Sequence, residues 1–302
     1  MTDGEDPGSS RPSTMPSATR WTSLALAVIV LASAGCGERA PRDPGWEILE
    51  PGLAVGRFHL CDEPPEAPPS LVVLRADPDR FAFRVLAASA TAERVPRSAR
   101  EWARLHDLAV ATNAGMFHPD YLRHVGLMIV GDHVNNGVAV TSYRSVLAFR
   151  PRDAAEPPFE LADLDETPLD DLRARYDVLV QNLRMIDATG ANVWEPSERA
   201  WSAAVLGVDG RGRILMLFNR DPRSIHDLID CLLELPIDVR RAQYLEGGPE
   251  AVLYSAAGDR TLEFVGSGSA TADESSGLGF SFPIPNVIGL ERRSVSYTHL
   301  TL

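Results

Sequence analysis

Residues 202–219, SAAVLGVDGRGRILMLFN, constrain the fold more than any other stretch. Two apolar runs flank Asp209-Gly210. Asp-Gly between strand-like runs is a strong hairpin signal, because the tight turn needs residues that accept positive φ. Further strand-like runs sit at 46–60, 70–77, 80–88, 108–113, 125–132, 145–151, 176–182 and 281–290, with "RAQYLEGGPEAVLY" (241–254) as strand, glycine turn and a further short element. Turn formers Asp77-Pro78-Asp79 separate the runs at 70–77 and 80–88, which predicts a second hairpin.

Two helices stand out. Ser98 and Glu101 form an S-x-x-E capping pattern opening a helix over 99–107, with Trp102 and Leu105 on one face. Ser224 with Asp227 caps a second helix, in which Ile225, Leu228, Ile229 and Leu232 share a face. Residues 151–175 are acidic and proline-rich, turning helical near their end. About ten strands and two helices, without regular alternation, predict a single α+β domain. Its sheets are expected to be antiparallel or mixed and curved, with a few flanking helices.

The two ends read differently from the middle. "RWTSLALAVIVLASAGC" holds an arginine, an apolar run and small residues ending at Cys36. The apolar run is too short to span a bilayer, and the order is that of an export leader. Residues 1–36 are therefore expected to be a signal peptide with Met15 as an alternative start. "SAGC" resembles a lipobox that would place a lipid on Cys36, the one expected membrane contact. Residues 37–45 form a tether and 46–293 the folded domain. "SVSYTHLTL" (294–302) changes composition abruptly and resembles translated sequencing-adapter read-through.

The formal net charge of −13 excludes a general nucleic-acid or anionic-membrane surface. Every basic residue is arginine, whose planar fork suits carboxylate or phosphate. Beyond Cys36, Cys61 and Cys231 remain; they either pair in an oxidising compartment, or Cys231 is a small hydrophobe on its helix. The chain contains no G-x-S-x-G elbow, P-loop, H-E-x-x-H or C-x-x-C. His118 and His124 lack further obvious ligands, so no metal or other cofactor is expected.

Three polar strand ends are candidates for chemistry. Asn113-Ala114-Gly115 follows "LAVATN", Gln181-Asn182 precedes Arg184, and Glu246-Gly247-Gly248 follows "QYL". Glycine at such ends lets another group approach the backbone closely. The ordered series "TNAGMF…VGLMIV", "VQNLRMID", "ERAWSAAVLGVDGRGRILMLFNR", "YLEGGPEAVLY" and "PIPNVIGL" resembles the phosphodiester glycosidase family. The resemblance covers roughly residues 70–290 and implies hydrolysis of a sugar-1-phosphate diester on a phosphate-linked glycan. In it Asn113 and Gly115 match an N-A-G turn, and Gly247 and Gly248 match a D-G-G-G-S signature. There Glu246 replaces Asp, Pro249 replaces Gly and Glu250 replaces Ser. Glu246 and Asn113 are the expected catalytic residues. Arg199, Arg184, Gly115, His118, Gly247, Gly248 and Asp209 are the expected substrate-binding set. A non-catalytic glycan-binding envelope lipoprotein is the alternative.

Overall fold

The computed structural model describes residues 45–266 and 281–294, all within one compact unit, Pro41–Leu302. The expected leader, the tether up to residue 44 and residues 295–302 lie outside the described residues. In chain order the first strands are β1 (Glu47–Glu50), β2 (Leu53–Phe58), β3 (Leu71–Ala76) and β4 (Phe81–Ala87). Helix α1 (Ala99–His106) and strands β5 (Leu108–Asn113), β6 (Met128–Val130), β7 (His133–Asn136), β8 (Ser145–Pro151) and β9 (Phe159–Asp163) follow. Then come α2 (Leu169–Arg175), β10 (Tyr176–Ile186), β11 (Trp201–Asp209), β12 (Ile214–Arg223) and α3 (Ile225–Glu234). The last strands are β13 (Val239–Gly247), β14 (Val252–Ala257), β15 (Arg260–Val265) and β16 (Asn286–Arg292).

The strands form two sheets. The larger runs β1-β2-β3-β12-β11-β13-β10-β6-β7, with β8 on β10 and β9 on β8; the smaller runs β15-β14-β5-β16-β4. Every strand pairing among the described residues is antiparallel. Among the described residues the architecture is therefore mostly β with three α-helices, rather than a balanced α+β fold or a mixed sheet. Short strands such as β7 (HVNN) and β9 (FELAD) account for much of the difference, since their polar content hides the alternating pattern.

Asp209-Gly210 makes the expected hairpin, with Val208 opposite Ile214. Asp77-Pro78-Asp79 does not. β3 pairs with β2 and β12 in the large sheet, whereas β4 pairs with β16 in the small one. That turn carries the chain from one sheet to the other. The reason is burial: β3 is buried along almost its whole length, whereas β4 alternates buried and half-buried residues. Partners more distant in sequence complete both strands.

The main core lies between the sheets. Leu74, Leu206 and Met216 of the large sheet meet Val110, Leu253 and Ile288 of the small one. On the other face of the large sheet α3 buries Ile225, Leu228, Ile229 and Leu232 against β11–β13, as its spacing predicts. A disulfide joins Cys61 to Cys231 on this side. Helix α1 has the predicted capping box at Ser98 and Glu101 and buries Trp102, but Leu105 is 62% exposed. Its buried face runs through Ala99, Trp102 and Ala103; at roughly 100° per residue Leu105 falls well off that stripe.

Candidate active site

A β-bulge aims the candidate catalytic carboxylate. On β11 and β13, Ala204 stands opposite Glu246 and Val205 opposite Tyr244, so Leu245 is an extra residue on β13. Bulges of this kind redirect side chains next to active sites. Tyr244 and Val205 contribute to the core beneath α3, whereas Ala204 contributes to the core between the sheets. Glu246 shares the Ala204 face and points between the sheets.

There the Glu246 carboxyl is pushed up to about 7, by burial first and by the negative charge of Glu250 second. One Glu246 oxygen accepts the Gly247 N–H at 3.0 Å, which partly offsets that rise. Tyr143 and Tyr244 are raised above the ordinary phenol range, by their own burial and then by the Glu246 charge. Both stay neutral at physiological pH. Gly248 has φ +67, and a side chain at Gly247 would overlap the Tyr244 hydroxyl and the Trp201 indole. The two glycines thus serve geometry at this turn.

The small sheet supplies the opposite wall. The Asn113 side chain donates to the Glu250 carbonyl at 2.9 Å and accepts the Val252 N–H at 2.9 Å. Its amide imitates a backbone rung and holds the turn from Glu246 to Glu250 against the end of β5. Asn113→Ala would leave a buried carbonyl and N–H unpaired. The expected cost is about 2–4 kcal/mol, read as a lower midpoint in urea unfolding.

Gly115 lies where a Cβ would overlap Asn182 Oδ1 and the His124 ring. Asn182 donates to the Ala114 carbonyl at 2.9 Å, tying β10 to the N-A-G turn. His124 is fully buried and its Nε2 is 2.8 Å from the Gln181 carbonyl, so Nε2 carries the proton. Burial lowers the imidazole to about 4, leaving it neutral. Gln181 accepts from Leu127 and Val140 N–H and donates to the Val140 and Tyr143 carbonyls, which fixes Tyr143 near Glu246.

Residues 106–291 match the phosphodiester glycosidase family. The chain belongs to that family. The fold of this phosphodiester glycosidase relative is similar to that of a hypothetical protein from Synechocystis, at TM-score 0.54 and 14% identity over 80% of this chain and 62% of that one. It is also similar to the zebrafish N-acetylglucosamine-1-phosphodiester alpha-N-acetylglucosaminidase catalytic domain, auto-inhibited by its pro-peptide. There the TM-score is 0.52 and the identity 12%, over 80% of this chain and 89% of that one. No curated protein matches the chain.

Within this family member, Asn113 is tied to the turn that carries Glu246, Gly247 and Gly248, whereas Gly115 lies against Asn182 and His124. His118 is half-buried three residues beyond Gly115, close enough to act electrostatically on His124. His124, six residues further along, is an interior group. Arg199 is exposed on the segment leading into Trp201, the residue that crowds Gly247.

Asp209 is corrected as a binding residue, and Arg184 as a cation free to take a phosphate. Asp209 accepts the Arg211 and Arg213 N–H groups at 2.9 Å and pairs with the Arg213 guanidinium at 2.6 Å. It closes the β11–β12 turn, five residues along β11 from Ala204, roughly 16 Å from the Glu246 row. Arg184 faces the inter-sheet core, but Asp163 at 2.5 Å and Asp165 at 2.6 Å already neutralise its guanidinium. It is not a free phosphate clamp. Asn182 stood among the polar strand ends marked in the sequence, whereas Tyr143, Glu250 as a second carboxylate and Gln243 were not. The last had one signal, an amide inside the apolar run "RAQYL".

Proposed function

We propose that the protein is an exported hydrolase that cleaves sugar-1-phosphate diester linkages in envelope or extracellular glycans. The observation that carries the reading is Glu246, a carboxyl buried at a bulge and pushed up to about 7, with a second carboxylate, Glu250, close enough to act on it electrostatically. Two carboxyl groups whose environments differ are the usual apparatus of glycoside hydrolysis. Family membership supplies the substrate class.

In this reading Glu246, protonated, donates to the departing phosphate oxygen, and Glu250 accepts a proton from the attacking water. The bond from the anomeric carbon to the phosphate oxygen breaks and the water oxygen replaces it. Arg199 at the rim is the cation that receives the phosphate. Export is supported by the leader-like N-terminus and by the disulfide, which fits an oxidising compartment. Among the described residues no helix is long and apolar enough to cross a membrane. The envelope attachment is a lipid on Cys36.

A second reading, a glycan-binding lipoprotein without turnover, is favoured by one observation: Asp163 and Asp165 neutralise the Arg184 charge that a phosphate would need. Release of reducing sugar from a panel of sugar-1-phosphate diesters separates the two. The expected result is turnover by the wild type, falling above about pH 7 as Glu246 ionises, and reduced at least ~100-fold in Glu250→Gln. Glycan binding with no turnover on the whole panel would establish the second reading.

A further inference from the structure

One row inward from Glu246 the inter-sheet core stops being apolar. Gln243 stands opposite Leu206 on β11 and Arg184 on β10, and directly opposite residues share a face. Leu206 belongs to the core between the sheets, so Gln243 and Arg184 point into it. Asn182 alternates with Val180 and Arg184 along β10 and joins them on that face.

These groups are buried and incompletely bonded. Gln243 is 0% exposed, and neither its Nε2 nor its Oε1 has a partner among the described residues. The same holds for Asn182 Oδ1 and for Arg184 Nε. The Asn182 assignment is fixed, because its Nδ2 already faces the Ala114 carbonyl. Two donors and two acceptors are therefore left open on one face, beside Glu246. A buried amide with four unused hydrogen-bond positions is costly to keep in a core that Leu or Met would fill.

We propose that Gln243, with Asn182 Oδ1 and Arg184 Nε–H, forms a hydroxyl-reading subsite that seats a glycosyl unit, its ligand being the neutral diol edge of a sugar. The ligand class follows from the donor set. An oxyanion would face two bare acceptors and the Asp163 carboxylate, which already holds Arg184. A vicinal diol both donates and accepts at each oxygen, matching Nε2 and Oε1 of one amide in a single bidentate exchange. What is attached to that sugar, and what happens to it at Glu246, rests on the hydrolase reading.

The test uses the full chain with free monosaccharides, read by thermal shift, alongside the diester turnover assay. Gln243→Met removes the unmet amide at nearly constant shape. It is expected to be at least as stable as wild type without sugar, to lose the sugar-induced rise in Tm, and to lower kcat/KM at least 100-fold. It is also expected to lose the wild type's preference for a hydroxylated over a deoxy sugar, which a purely structural amide would not set. Gln243→Leu, which removes donor and acceptor together, is read the same way. Glu246→Gln is expected to keep the sugar-induced rise while losing turnover. A wild-type-sized rise in both Gln243 variants overturns the subsite, as does the absence of any rise in wild type across the monosaccharide panel, whether or not diesters are cleaved. A sugar-induced rise that depends on Gln243, without turnover of any diester, leaves the subsite standing and removes the hydrolase reading.

Discussion

Glu246→Gln is expected to abolish turnover and, above pH 7, to make the protein more stable. An ordinary glutamate ionises near 4.5, whereas burial and the Glu250 charge hold Glu246 at about 7. Between those values the folded protein keeps a proton that the unfolded chain has released. Stability therefore falls as pH rises through this window, and the penalty is complete above about 7. Each tenfold difference in proton affinity between the folded and unfolded chain is worth ~1.4 kcal/mol, so the penalty reaches at most about 3 kcal/mol. Glutamine carries no charge at any pH and can still accept the Gly247 N–H.

Urea unfolding at pH 4.5 and pH 8 reads the effect directly. The variant and wild type are expected to be close at pH 4.5 and to separate by up to about 3 kcal/mol at pH 8, the variant being the more stable. Tyr143 and Tyr244 stay neutral throughout, so they do not blur the window. Loss of the proton donor is expected to cost about 10²–10⁴ in rate. Parallel stability curves, or turnover within threefold of wild type, would remove Glu246 from the centre of the site.

The contrast between gain in stability and loss of activity explains which parts of the site could be read in advance. Local signals were legible. The Asp209-Gly210 hairpin, the capping box at Ser98 and Glu101, and the buried face of α3 are each decided within a few residues of chain. Glu246 was legible as a polar strand end beside glycines. Its direction was not, because that depends on the bulge at Leu245, and a bulge exists only in the register between β13 and β11.

Pairing across the chain hid the rest. Nothing near Arg184 shows that Asp163, on another strand, will occupy its guanidinium. Nothing near His124 shows that the Gln181 carbonyl will hold it inside. The hairpin expected at Asp77-Pro78-Asp79 failed for the same reason: β12 and β16, far along the sequence, complete β3 and β4. Asn113 was marked as catalytic by its position at a strand end, yet its amide is spent on the turn that carries Glu250. It positions that turn.

Removing the Cys61–Cys231 disulfide is expected to produce the largest loss of stability. The bridge closes a loop across a sequence separation of 170 residues. In the chain-entropy account, releasing a loop of that length gives the unfolded state about 5 kcal/mol, and measured losses commonly fall at about 2–5. For a domain of this size that is a drop in Tm of roughly 10 °C. Two other contacts hold the same loop: Arg223 pairs with Asp62 at 2.5 Å and approaches Glu63 at 3.8 Å. They keep the folded geometry once the bridge is gone, so the effect belongs mainly to the unfolded chain. Thermal unfolding of a Cys61→Ser, Cys231→Ala double variant is therefore expected to match that of reduced wild type. Cys231 packs with α3 on one face of the large sheet, whereas Glu246 points from the opposite face. Turnover at 25 °C is accordingly expected to stay within twofold of wild type while Tm falls; a large loss of activity with the fold intact would show that the two faces are coupled through β11 and β13.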